Sequence, residues 1–428
     1  VSFLLAALYV KKFLFMNENM EIRKFDADGH NVTAETFSRI YPLVNNYIMK
    51  NTPLQESRDG DVYEMLDVKT HILNPYRRCV GGYGRNINVF FLLAEAMWIF
   101  VGRKDVEFLK IFNENMVKYS DDSFTFHAPY GFRIRHWGEP SELCKNVNSF
   151  CGFDQLRETL RLLDENPKTR QAVISIWNPL LDLGVSTKDM PCNDMLMFKI
   201  RDKKLITTIQ NRSNDLHFGL STNIFQFSFM TELMSQCLSV ELGTQTHNSQ
   251  SLHIYTWNNA AKTMLERFEN GDVKDLYDVA EHRRLCCDFF SGTATNKLKE
   301  VDEALNCIIS NLMLYYKHGE VDVEGESMVK RFSLYLWDVY CLLKLYIEYK
   351  KILENVVSET KRDDVRFECI ERIYNDVNFN FLVEGQEAKF WDISVLAMNF
   401  FAARVKTHTM KNHVLLTFDK IGNVLGKL

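Results

Sequence analysis

The stretch Pro191–Asn223, PCNDMLMFKIRDKKLITTIQNRSNDLHFGLSTN, decides the fold. Met195 to Ile200 and Leu205 to Gln210 are short apolar or alternating runs of the kind that form strands. Asp202-Lys203-Lys204 supplies a turn between them, so the pair reads as an antiparallel hairpin. A polar turn, Asn211-Arg212-Ser213-Asn214-Asp215, leads into a helix expected from near Thr222 to about Leu238. In an antiparallel hairpin the start of one strand neighbours the end of the other. Cys192 and Arg212 can therefore meet, and a guanidinium beside a thiol is expected to lower its pKa and enlarge the thiolate fraction a nucleophile needs. On these residues alone, a buried structural thiol is the commoner explanation of such a cysteine.

Outward from the hairpin, Val89 to Val101 is apolar and long enough for a buried helix, and Ala172 to Trp177 is a further strand. Strands and helices in this order predict an α+β domain. No proline follows Pro191, which leaves the rest of the chain free for long helices. Lys297 to Lys317, Met328 to Leu353 and Ala388 to Val405 carry helical spacing, with Phe332, Leu336, Val339, Leu343 and Ile347 forming one buried stripe. The aromatic residues Tyr335, Trp337, Tyr340 and Tyr346 read as packing rather than as a cofactor box. With a boundary near 268–290, the chain divides into a leader (1–20), a mixed domain (21–268) and a helical extension (290–428).

Of the 428 residues, 46% are hydrophobic and 25% charged, the balance of an ordinary globular protein. A net charge of −5 gives no overall attraction to nucleic acid or an anionic membrane, so any phosphate must be held by locally placed arginines and the partner should be small. The ten cysteines lack metal-ligand spacing, which implies reduced thiols, no metal and a cytoplasmic protein. Val1 to Phe15 is too short to span a bilayer and lacks a signal peptide's basic start and cleavage site. It reads as a non-native or disordered leader, with Met16 or Met20 as the expected first residue. Gly81-Gly82-Tyr83-Gly84 has no following Lys-Ser/Thr and reads as a turn, not a phosphate loop.

Several motifs, in order and spacing, resemble the thymidylate synthase family over roughly residues 53–262. They are Ala94-Glu95-Ala96-Met97-Trp98, Tyr130-Gly131, Thr169-Arg170, Pro191-Cys192, Asn211-Arg212-Ser213-Asn214-Asp215, Gly219-Leu220-Ser221-Thr222-Asn223 and His253-Ile254-Tyr255. The resemblance implies a thymidylate synthase-like mixed-sheet domain, to which the helical extension has no counterpart. It also implies an enzyme that moves a one-carbon unit from 5,10-methylenetetrahydrofolate to carbon 5 of dUMP. Cys192 would be the nucleophile that adds to carbon 6, Glu95 the proton relay, and Tyr130 the aid to proton removal from carbon 5. Arg58, Arg212 and Ser213 would grip the phosphate, joined by Arg170 from the second subunit of a homodimer. His253 and Tyr255 would bind the sugar, Asn223 the base and Asp215 the folate pterin ring. Asparagine at 223, where relatives acting on dCMP carry aspartate, points to dUMP.

Three positions depart from the family pattern. Asn193 stands where histidine is usual, Gln171 replaces the second arginine of a pair, and Val117 to Phe126 lacks the tryptophan that shields the exocyclic methylene from water. The closing residues Asn423–Leu428 do not resemble the family's tail. Reductive methylation to dTMP is the expected outcome, as the commoner one in the family; hydroxymethylation of dUMP (or dCMP) is the alternative. Readings of other classes are a non-catalytic nucleotide- or protein-binding homologue, and a cysteine hydrolase pairing Cys192 with His217 or His253.

Overall fold

The computed structural model describes residues 22–25, 29–81, 87–138, 152–270, 276–278, 280–290, 292–375, 380–381, 389–407, 410–412 and 414. The leader at 1–20, residues 82–84 of the glycine-rich stretch and the closing residues 423–428 lie outside them.

The first part of the chain runs β1 (Ile22–Phe25), β2 (Asn31–Ala34), α1 (Phe37–Asn51), β3 (Leu54–Gln55), β4 (Val62–Ile72), α2 (Val89–Phe100), α3 (Val106–Phe112), α4 (Tyr130–Arg135) and α5 (Gln155–Glu165). It continues with β5 (Val173–Ser175), α6 (Pro179–Asp182), β6 (Asn193–Arg201), β7 (Lys204–Asn211), β8 (Asn214–Asp215), α7 (Ser221–Leu238), β9 (Glu241–Tyr255) and α8 (Asn259–Glu269). One mixed sheet takes the order β1-β2-β4-β9-β7-β6-β5, with β3 beside β4 and β8 beside β9.

The β6–β7 hairpin forms where the apolar alternation requires it. Its turn is tighter than expected, because Lys204 already belongs to β7 and pairs with Arg201. Asp202 and Lys203 take φ of 51° and 60°, the paired positive values of a two-residue hairpin turn, here without a glycine. Parallel pairing of β7 with β9 sets Asn211 opposite Ser249, and β8 with β9 sets Asp215 opposite His253. Asn211 to Asp215 and His253 are thus brought together at one end of the sheet.

Downstream helices are α9 (Ala294–His318), α10 (Val323–Phe332), α11 (Leu334–Glu354), α12 (Glu359–Asn375) and α13 (Asp392–Ala402). The segment expected as one helix from Met328 to Leu353 is two. Ser333 breaks it by taking an extended conformation and capping α11, its hydroxyl accepting from Leu336 N–H. The aromatic stripe packs: Tyr335 lies 5.3 Å from Trp391, Trp337 5.5 Å from Tyr340, and Tyr346 stacks on Phe90 at 4.7 Å. A single large hydrophobic cluster joins α2 and α7 to α9, α11 and α13, so these late helices roof the outer side of α2. No described helix is long and apolar enough to cross a membrane.

Candidate active site

Cys192 immediately precedes β6, and Arg212 follows β7 at once. The Arg212 N–H donates to the Cys192 carbonyl at 3.1 Å, its Nε donates to the Pro191 carbonyl at 2.8 Å, and its Nη2 stands 4.0 Å from the Cys192 Sγ. The guanidinium lies over the Trp177 ring at 5.7 Å, which leaves its outer edge exposed for an anion. The expected lowering of the Cys192 pKa is not the net result. Burial pushes the thiol up, and the pull of Arg212 is opposed by the negative fields of Asp189 and Asp194. The resting group is a thiol, because desolvation of a thiolate outweighs one partly exposed guanidinium.

Tyr130 opens α4, and its hydroxyl accepts from the Cys192 N–H at 3.4 Å. Burial holds this phenol above its usual range. Gly131 permits the approach: a Cβ there would sit 2.0 Å from the Ile99 carbonyl oxygen on α2. Gly131→Ala is therefore expected to push α4 off α2, costing about 1–3 kcal/mol as an overpacked contact, and to impair turnover with it. Thermal unfolding read beside initial rates checks this; a variant as stable and active as the parent would refute the packing argument.

Glu95 is the sole ionisable side chain of α2, flanked on both sides by buried apolar residues. Burial raises its carboxyl to about 8, while a hydrogen bond from the Gln226 amide to Oε2 acts in the opposite direction. Asn223 and Gln226, three apart in the first turns of α7, share a helix face. Asn223 Nδ2 donates to Asn193 Oδ1 at 3.3 Å, tying α7 to the residue after Cys192. Asn193 is fully buried. Its Nδ2 lies close enough to the Tyr130 hydroxyl to favour ionisation, yet makes no hydrogen bond of normal geometry.

On the other rim, His253 and Tyr255 project from the same face of β9, rings edge to face at 5.4 Å. Burial lowers the His253 pKa. Arg58 sits in an exposed turn, pairs with Asp59 at 3.2 Å and reaches the Thr187 carbonyl at 3.4 Å; the charges of Tyr255 and Cys192 act on it across the cleft. Asp215 accepts from the backbone N–H groups of His217 and Phe218, and Ser213 is partly buried between it and Arg212.

Arg170 does not join this group within one chain. It is exposed ahead of β5, which pairs Val173 with Met197, so it stands toward the Ile200 end of β6. About eight strand residues at ~3.3 Å each, roughly 26 Å, separate that end from Cys192. The hydrolase reading loses His217, whose ring nitrogens are engaged by Tyr41 and by Asn45, the latter at 2.8 Å.

Residues that the sequence did not single out complete the cleft. Asp189 accepts from Ala128 N–H at 2.8 Å, and burial raises its pKa. Trp177 and Gln226 support Arg212 and Glu95. In the 117–126 segment Tyr119 is 54% and Phe124 77% exposed, and the Asp122 carboxylate folds the loop by accepting from Phe124 N–H, Thr125 N–H and Ser120.

Residues 84–291 match the thymidylate synthase family model. Among curated proteins, the chain is 41% identical over 246 residues to a deoxyuridylate hydroxymethyltransferase of Bacillus phage SP01, covering 56% of this chain and 61% of that protein. It is 38% identical over 205 residues to the protein of the same description from Pseudomonas phage M6, covering 47% and 54%. A third such protein, from Delftia phage PhiW-14, is 28% identical over 268 residues, covering 59% and 71%. The chain thus spans less than two thirds of the first two relatives. With a cysteine, an arginine, a tyrosine and a partly buried glutamate gathered at one end of a mixed sheet, the segment from 84 to 291 is a domain of the thymidylate synthase family.

Proposed function

We propose that the protein transfers the one-carbon unit of 5,10-methylenetetrahydrofolate to carbon 5 of dUMP and releases it as 5-hydroxymethyl-dUMP. The observation that carries the reading is the pairing of Cys192 with Arg212 beside Asn193 and Asn223. Arg212, Ser213 and Arg58 hold the phosphate, and His253 with Tyr255 holds the sugar. Cys192, once deprotonated, adds to carbon 6 and makes carbon 5 electron-rich enough to attack the one-carbon unit. Glu95, protonated near neutral pH, supplies protons through water, the Tyr130 hydroxyl assists removal of the carbon 5 proton, and Asp215 engages the pterin.

The choice of base follows from donors and acceptors. Asn223 spends one N–H on Asn193 and keeps an N–H and a carbonyl for the ring, while the buried Asn193 Nδ2 still needs an acceptor. The uracil 4-oxygen supplies one; the amino group of cytosine would set donor against donor. Hydroxymethylation replaces methylation as the favoured outcome because the relatives carry that activity in their names, and because the 117–126 segment has no tryptophan and its aromatic residues Tyr119 and Phe124 are exposed. A homodimer is part of the proposal. Arg170 can reach a phosphate only in another copy, and the strand residues Leu66 and Val173 are 51% and 42% exposed.

The test is the mass of the nucleotide formed from dUMP and methylenetetrahydrofolate, with absorbance followed for dihydrofolate. A gain of CH2O with no dihydrofolate is expected. A gain of CH2 with dihydrofolate would return the protein to thymidylate synthesis, and no conversion at all would leave a non-catalytic binder.

A further inference from the structure

Hydroxymethylation needs a group that hydride transfer does not: something to take the proton of the water that attacks. We propose that Asp189 is that base, and so decides how the one-carbon unit is released; this rests on the hydroxymethylation reading above.

Asp189 stands three residues before Cys192, on a segment stitched to residues 120–128. Its Oδ2 accepts from Ala128 N–H at 2.8 Å, two residues before Tyr130. Thr187 Oγ1 donates to Asp121 at 2.5 Å while accepting from the Asp189 N–H at 3.2 Å, and Lys188 Nζ donates to the Ser120 carbonyl at 3.0 Å. These bonds fix the Asp189 backbone against the 120–128 loop, and the carboxylate's bond to Ala128 engages Oδ2, with no hydrogen bond to Oδ1 from the described residues. The carboxylate lies within electrostatic reach of the site, since its charge acts on Glu95, Tyr130 and Cys192 alike. Glu95 is less suited to the task because burial raises it to about 8, so that near neutral pH it already holds a proton. Burial makes Asp189 a stronger base than an ordinary aspartate.

Once tetrahydrofolate has left, the nucleotide carries a methylene double-bonded to carbon 5, with carbon 6 still bonded to Cys192. A water oxygen bonds to the methylene carbon as its proton passes to Asp189 Oδ1. The double-bond pair moves onto the ring as an enolate, then returns to form the carbon 5–carbon 6 double bond as the carbon–sulfur bond breaks. Thiolate leaves and Asp189 gives its proton to solvent. Nothing is oxidised or reduced, so folate departs as tetrahydrofolate.

Asp189→Asn preserves the size and the acceptor for Ala128 N–H. It also removes a charge that raises the Cys192 pKa, so the early steps should not slow. With dUMP tritiated at carbon 5, tritium release is expected within about threefold of the parent, while 5-hydroxymethyl-dUMP formation falls on the order of 10²-fold, the usual worth of a positioned base. Added 2-mercaptoethanol, which needs no such base at neutral pH, should then divert product to the thioether. Asp189→Glu, which restores a carboxylate, should recover most of the hydroxymethyl product. Unchanged hydroxymethyl formation in Asp189→Asn overturns the proposal, as does a parallel fall in tritium release without thioether in both variants. Failure of the underlying reading is distinct, because it appears in the parent protein as dTMP with dihydrofolate.

Discussion

Cys192→Ser is expected to abolish turnover, lowering the rate on the order of 10⁴-fold or more, as loss of a covalent nucleophile does elsewhere. A serine hydroxyl in the same buried position, with Asp189 and Asp194 already opposing negative charge, has no route to an alkoxide. Two measurements separate this from a folding defect. The parent should form a covalent adduct with 5-fluoro-dUMP and methylenetetrahydrofolate, visible by mass in denatured protein; the serine variant should bind dUMP yet form none. Active parent protein that traps no adduct would sink the mechanism, because the fluorine blocks only the step after carbon 6 has bonded to sulfur.

The largest effect on stability is expected far from the nucleophile. Arg78 and Glu232 form an ion pair with side chains 3% and 0% exposed, and Glu232 Oε1 also accepts from Leu285 N–H at 2.7 Å. Arg78 lies over the Phe229 ring, and beside it Tyr277 accepts from Cys79 N–H at 3.1 Å and donates to Asp392 at 3.0 Å. This polar knot joins α7 to α13 and to the segment leading into α9. Glu232→Ala leaves a guanidinium buried without its partner, and the expected cost is about 3–5 kcal/mol. Replacing both partners by apolar residues, Arg78→Met with Glu232→Leu, should recover most of that loss, because the desolvation of two charges is then also removed. Chemical denaturation of the single and double variants tests it. Equal loss in both would mean that the pair contributes through shape and not through charge.

What could be read before folding was the local pattern. The alternation in β6 and β7 and the polar turn beyond them put Cys192 beside Arg212, and the apolar run around Glu95 marked a buried helix. α12 was missed because charges surround it on every side, as its sequence Glu-Thr-Lys-Arg-Asp-Asp shows, and it has no clean apolar stripe to count. The sign of the Cys192 shift was misjudged for a different reason. Proximity to an arginine is visible in a hairpin register, whereas desolvation depends on everything that packs above the sulfur. Asp189 gave one weak signal, a carboxylate three residues before a reactive cysteine. Its bond to Ala128 spans a long stretch of chain and has no periodicity to reveal it. Arg78 and Glu232 were hidden in the same way, being brought together only by the finished core.

The helix that carries Glu95 is covered over most of its surface, with only Phe91 and Glu95 partly exposed. One flank meets α7, and the other is closed by helices drawn from the last third of the chain. The acid of the pocket is therefore tuned from outside it: strip away that outer cover and water would reach the carboxylate from behind, drawing its proton affinity back toward that of a free glutamate. A transplant of residues 84–291 into another scaffold must bring this shelter along or supply an equally dry one.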